Sequence, residues 1–173
     1  MQHAEMMESL RSLLESADHV DVKTVTSSVD MKSFVAGLIN WRPAWARVLF
    51  RIRNIFAKWC GLEYDFQPSP KLTAETVPTT PGDPVDFFEL HAYSPERLYV
   101  MFASDKHLDA YLAVVPEPGS EGLVNYSVYT IVMYNNRLGP IYFNVIRPFH
   151  HLIVQAMVQA AAKGVEEVPC AAC

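Results

Sequence analysis

A strict two-residue alternation from Val124 to Tyr134 gives way, across Asn135-Asn136-Arg137-Leu138-Gly139-Pro140, to a helical periodicity that runs to Lys163. Period two puts successive side chains on opposite faces of a strand, and period 3.6 puts them on one stripe of a helix. With so short a junction, a long helix must pack back across the sheet to which that strand belongs. Tyr142, Val145, Ile146, Phe149, Leu152, Ile153, Ala156, Met157 and Ala160 form one helical arc, expected to face the sheet, with Asn144, Arg147, His151, Gln155 and Gln159 opposite. Pro148 lies inside this pattern. Either it kinks the helix and frees the Asn144 carbonyl, which is favoured, or it opens the helix after an irregular turn. Val154 and Val158 fall near the polar side, compatible with a subunit contact, hence a homodimer, or with scattered surface apolars.

Upstream, Val85–Tyr93, Arg97–Ala103 and His107–Val115 are also alternating or β-rich. Their connections, Ser94-Pro95-Glu96, Ser104-Asp105-Lys106 and the wider Pro116 to Gly122, are short enough to require an antiparallel meander. Before them stand a short amphipathic helix from Ala4 to Ser16 and a strand from His19 to Thr26. A second helix is opened by Ser27 and Asp30 and closed by Asn40 and Pro43, with Met31, Phe34, Val35, Leu38 and Ile39 on its apolar face. Residues 43–60 read as a basic amphipathic helix bounded by Pro43 and Gly61, and Glu63–Phe66 as a short strand. The proline-rich stretch 67–84 is expected to be a mobile loop. The predicted fold class is α+β: a curved antiparallel sheet wrapped on a long C-terminal helix, with two short helices after the first strand. One domain is expected over 1–173, with 1–17 an N-terminal extension and 164–173 a flexible tail.

Half of the residues are hydrophobic and 19% are charged, a composition that folds. The net charge of −5 opposes nucleic-acid binding, which calls for excess Lys and Arg. No apolar run approaches the roughly 20 residues of a membrane span, and no cationic signal peptide begins the chain. Cys60, Cys170 and Cys173 make no disulfide framework, so a reducing, cytoplasmic setting is expected. Cys170-Ala-Ala-Cys173 formally matches a redox pair and a prenylation box, but it reads better as a frayed tail.

Asp105, His107, Asp109 and Tyr111 alternate and share a sheet face, an arrangement suited to acid–base or metal chemistry. The opposing set Leu108, Ala110, Leu112 and Val114 claims the core and pushes them to the convex side, so no metal is expected. His150 and His151 point about a hundred degrees apart on a helix and act separately. His150 borders the apolar arc, His151 falls on the polar stripe, and His91 lies on an ambiguous strand face. Seven tyrosines between Tyr93 and Tyr142 supply flat apolar bodies with hydroxyls, suited to an amphipathic cavity and equally to cross-strand pairing. Asn135 and Asn136 read as strand and turn terminators, and Gly139 as a point of backbone freedom. The charge from Arg42 to Lys58 suits an anionic group, a peripheral membrane surface or plain solvation.

The segments Ser104-Asp105-Lys106-His107-Leu108-Asp109, Tyr134-Asn135-Asn136-Arg137-Leu138-Gly139 and Ile141-Tyr142 through Arg147-Pro148-Phe149-His150 resemble the signature of domain-of-unknown-function family 2867. The resemblance spans about Asp18 to Lys163. Members of this uncharacterised bacterial family occur alone or joined to NAD-binding epimerase-like proteins. The resemblance implies the helix-grip, START-like superfamily, and with it a hydrophobic cavity between sheet and helix. It implies no activity, no catalytic residue and no cofactor.

The function expected is therefore binding of a small hydrophobic or amphipathic molecule, with Tyr126, Tyr129, Phe149, Ile153 and Met157 as walls and His150 or Arg42 orienting its polar end. A cyclase, hydratase or isomerase using a cavity His, Asp or Tyr is the alternative, with Asp105, His107 and Asp109 as its best cluster. A third is a lipid carrier docking through the basic helix 43–60.

Overall fold

The computed structural model describes residues 2–43, 45 and 70–164. In chain order these form α1 (Gln2–Ser16), β1 (His19–Ser27), α2 (Met31–Asn40), β2 (Pro84–Val85), β3 (Phe88–Ser94), β4 (Leu98–Ser104), β5 (Leu108–Pro118), a short turn of 3-10 helix (Ser120–Gly122), β6 (Val124–Tyr134) and α3 (Gly139–Ala162). The described strands make one curved antiparallel sheet in the order β1-β6-β5-β4-β3-β2. The strands β2 to β6 form the meander that their short turns demand, and β1 closes against the last strand, from His19 opposite Val132 to Ser27 opposite Val124. The fold is α+β, with the long C-terminal helix lying on the sheet.

The two sheet faces are covered differently. On the inner face, Leu90, Tyr99, Met101, Leu112, Val114, Tyr126 and Val128 pack with Met31, Phe34, Val35 and Leu38 of α2 and Val154, Val158 and Ala161 of α3. On the outer face, Leu10 of α1, flanked by Met6, Leu13 and Leu14, covers Leu98, Val100, Ala113, Val115 and Ile131. The N-terminal helix thus packs as a third layer over its own sheet.

Most element boundaries follow the sequence pattern, and the departures have local causes. The strand expected over Val85–Tyr93 breaks because Asp86 takes a left-handed φ of 62°, splitting it into β2 and β3. Asp30, rather than Ser27, caps α2: its carboxylate accepts from the Ser33 N–H at 3.0 Å and the Ser33 hydroxyl at 2.6 Å. Ser27 instead donates to the Ala162 carbonyl at 2.6 Å, tying β1 to the end of α3. Pro148 lies inside the continuous helix and does not open it.

The described part of the proline-rich loop is pinned. Asn40 brackets Leu72, donating to its carbonyl at 2.6 Å and accepting from its N–H at 2.9 Å. Tyr99 donates to the Pro78 carbonyl at 3.0 Å, and Val77 is buried in the inner core. The expected basic helix 43–60 apart from Pro43 and Trp45, the expected strand 63–66, and the tail 165–173 lie outside the described residues, and all three cysteines with them.

The azimuth of α3 corrects the sequence reading. Tyr142, Phe143, Val154, Val158 and Ala161 are buried, whereas Ile141, Val145, Phe149 and Leu152 are 61%, 47%, 44% and 56% exposed. A helix apolar around most of its circumference does not reveal by pattern which stripe packs. Here the choice follows from close approach: a Cβ on Gly37 of α2 would meet the Ala161 Cα at 3.2 Å, so the two helices seat together at that glycine.

Candidate functional site

Two turns at one end of the sheet are locked together by side-chain amides. Asp105 Oδ1 accepts the N–H groups of His107 at 2.6 Å and Leu108 at 3.0 Å, folding the β4–β5 turn around its carboxylate. From the β6–α3 junction, Asn135 Nδ2 donates to the Asp105 carbonyl and to Asp109 Oδ1, both at 3.0 Å, and Asp109 also accepts from the Ser104 hydroxyl. Asn136 Nδ2 donates to the Lys106 carbonyl at 2.6 Å and lies 2.9 Å from His107 Nδ1. Its Oδ1 meanwhile accepts the N–H groups of Leu138 and Gly139, serving the start of α3.

These contacts give Asp105, His107 and Asp109 a structural role in the latch. Asp109 and Tyr111 lie on the outer sheet face, as Asp109 pairs with Met133 and Tyr111 with the outer-face residue Ile131. His107 is buried, with Nδ1 placed 2.9 Å from the Asn136 amide nitrogen. Gly139 is required for space more than for freedom: a Cβ there would sit 2.5 Å from the His107 carbonyl oxygen.

A second polar group lies on the inner face, and the sequence did not single it out. Residues directly opposite in an antiparallel pair share a face. His19, Asp21 and Lys23 of β1 oppose Val132, Thr130 and Val128 of β6, so all three stand on the face covered by α3. Asp21 Oδ1 is 3.0 Å from Lys23 Nζ, and Asp21 Oδ2 is 3.0 Å from His151 Nδ1. The His19 ring lies 4.8 Å from that of Phe143 and 5.8 Å from that of His151. Thr130 is 3% exposed, and its hydroxyl and the buried His19 Nε2 have no hydrogen-bond partner among the described residues.

The electrostatics are asymmetric. Burial lowers the affinity of His19 for a proton, helped by His151 and Arg147, with Asp21 acting the other way. At Asp21, burial favours the neutral acid, but hydrogen bonding from Lys23 and the charges of His151 and Lys23 prevail and hold it below the usual carboxylate range.

This polar seam separates two apolar patches of the inner face. On one side Leu108, Val132, Tyr142 and Phe143 cluster with Ala110 and Ile146. On the other stand Leu112, Val114, Val128 and Val154, with Met157 against them. Ile146, His150, Ile153 and Met157 recur at helical spacing, and all are half-buried, forming a stripe of α3 that runs from one patch to the other.

The other residues expected to line a cavity are dispersed. Tyr126 is fully buried in the inner core, stacked on Phe34 at 4.0 Å and donating to the Val29 carbonyl at 2.7 Å; burial pushes its phenol pKa up. Tyr129 packs in the outer cluster under α1, and Phe149 is 44% exposed on α3. Arg42 is committed to Asp86 at 2.6 Å, tying the end of α2 to the β2–β3 turn. His91 belongs to an outer-face aromatic group, 5.3 Å from Tyr111 and 6.1 Å from Phe102. Of the predicted residues, His150, Ile153 and Met157 are half-buried on α3, and Met157 packs against the inner core.

An antiparallel sheet with a long C-terminal helix across its inner face, two turn-locking asparagines and a half-buried polar seam makes an α+β domain of helix-grip-like class. A family model described as a protein of unknown function, DUF2867, matches residues 13–157, and the chain belongs to that family. No curated protein matches it. Among the described residues, no helix is long and apolar enough to cross a membrane, and no three His, Cys, Asp or Glu side chains are grouped to hold a metal ion.

Proposed function

We propose that this domain binds a small amphipathic molecule along the seam between the inner sheet face and α3. Its polar end meets His19, Asp21, Lys23 and Thr130, and its apolar body runs along Ile146, Ile153 and Met157. The observation that carries this reading is that two buried polar atoms on this face, the Thr130 hydroxyl and His19 Nε2, have no hydrogen-bond partner among the described residues. Leaving such atoms unpaired costs about 1–3 kcal/mol each, so a partner from outside the chain is the economical explanation. Native mass spectrometry of gently purified protein tests it. A bound small molecule that is released on unfolding, and lost in Ile153→Trp, is the expected result; an empty protein that no amphiphile stabilises contradicts it.

Acid–base chemistry of cyclase, hydratase or isomerase type is a second reading, favoured by the 3.0 Å approach of His151 Nδ1 to Asp21. A carboxylate that orients an imidazole is the arrangement a proton shuttle needs. Incubating the recovered molecule with wild type and with His151→Asn separates the two readings. Chemical conversion by wild type alone supports catalysis, and recovery unchanged from both supports binding.

A further inference from the structure

The two edges of the sheet are finished differently. One is β2, two residues long and opened by Pro84, which has no N–H to offer a further strand. The other is β1, nine residues from His19 to Ser27 with no Gly, no Pro and no break in its register against β6. Among the described residues no strand pairs with its other side. Alternate residues of an antiparallel strand turn their backbone groups to opposite neighbours. The Val132 carbonyl turns towards β1, where it accepts the Asp18 N–H at 2.9 Å, so its partner His19, and with it Asp21, Lys23 and Val25, bond into the sheet. Val20, Val22, Thr24 and Thr26 therefore turn their backbone groups to the open edge, and all four side chains are exposed on the outer face. A long, regular, β-branched edge of this kind is a template for another strand.

We infer that β1 is a homodimer interface, formed by antiparallel pairing with β1 of a second copy about a two-fold axis at Val22. Charge complementarity names the occupant. In this register Asp21 of each copy stands opposite Lys23 of the other on the inner face, while Val22 meets Val22 and Val20 meets Thr24 on the outer face. Moving the axis by one residue sets Asp21 against Asp21 or Lys23 against Lys23, so the same two charges that permit this pairing oppose its neighbours. A strand without that match would leave both charges unanswered at the junction. Val154 and Val158 of α3, where the sequence pattern is compatible with a subunit contact, are instead buried in the inner core. The pairing joins two sheets into one and is independent of what the seam binds.

Sedimentation equilibrium of the full chain tests the inference. Wild type is expected to dimerise with a Kd on the order of 100 μM, as a small contact along one strand allows. Val22→Lys replaces an exposed side chain, sets two ammonium groups against each other at the axis and is expected to weaken the dimer at least about tenfold. Lys23→Glu and Asp21→Lys each oppose like charges and are expected to be monomeric alone, whereas their mixture restores both opposite-charge pairs and sediments as a heterodimer. Circular dichroism confirms the fold of each variant, and Val22→Lys decides if either charge variant fails to fold. A wild type still monomeric at about 1 mM overturns the inference. So does a dimer that Val22→Lys leaves intact, or one that Phe149→Ser dissolves in its place, and folded charge variants that fail to associate when mixed overturn the register.

Discussion

Asp21 of β1 and Thr130 of β6 stand directly opposite each other across the strand pair, on the face covered by α3. One is a carboxylate with Oδ1 3.0 Å from Lys23 Nζ and Oδ2 3.0 Å from His151 Nδ1, and the other is a hydroxyl with no hydrogen-bond partner among the described residues. The contact between Asp21 and His151 ties the helix to the sheet, and the Thr130 hydroxyl stands on the same face.

Thr130→Val, nearly isosteric, is expected to leave unliganded stability unchanged or raise it by up to about 1 kcal/mol, since the hydroxyl it removes is buried unpaired. The same substitution weakens ligand binding. Urea denaturation with and without bound amphiphile checks both halves, and a loss of more than about 1 kcal/mol in the empty protein would show that the hydroxyl already has a partner.

Asp21→Asn is expected to cost about 2 kcal/mol at neutral pH, as it weakens charge-assisted contacts to Lys23 and His151. Because the folded-state pKa of Asp21 lies below its ordinary value, its contribution is present above the ordinary carboxylate pKa and is lost as pH falls through the folded value. Urea midpoints measured from pH 7 down through the carboxylate range should therefore fall less steeply in the variant than in wild type.

His19 adds a separate acid-labile component at higher pH. Its folded-state pKa is depressed below 6.5, so the folded protein favours the neutral ring. That stabilising preference is complete above 6.5 and is lost as pH falls through the depressed value. His19→Leu should flatten stability across this window, read by thermal melting at closely spaced pH. An unchanged slope would place the titration elsewhere.

The latch makes a sharper structural prediction. Asn136→Ala removes the donor to Lys106 and the acceptor at the start of α3, an expected loss of about 1–2 kcal/mol. Gly139→Ala forces a methyl against the His107 carbonyl and is expected to cost more than about 2 kcal/mol. Chemical denaturation of the two variants gives the order directly, and Gly139→Ala matching wild type would contradict the close approach.

The sequence makes the sheet legible because turn length and two-residue alternation act locally. The span of β6, Val124–Tyr134, coincides with its pattern, and the meander follows from the turns. The orientation of α3 is not legible, because Val145, Phe149 and Leu152 are as apolar as Val154 and Val158, and tertiary contacts such as the Gly37–Ala161 approach decide between them. The same ambiguity hid the seam. In β1 the alternation sets Asp21 and Lys23 against Val20 and Val22 without saying which set is covered, and the charged set faces α3 while the valines are 39% and 42% exposed. The partner that His151 offers Asp21 is invisible to a strand pattern. The Asp105–His107–Asp109 alternation was visible for the opposite reason: its residues are close in sequence, and what they build is a turn.

Amide NMR of the full chain titrated with decanoate probes the seam itself. The account predicts saturable shifts concentrated at residues 19–23, at Thr130 and along 146–157, with the α1 face silent. Shifts confined to the exposed stripe Ile141, Val145, Phe149 and Leu152, or to the layer under α1, would contradict it.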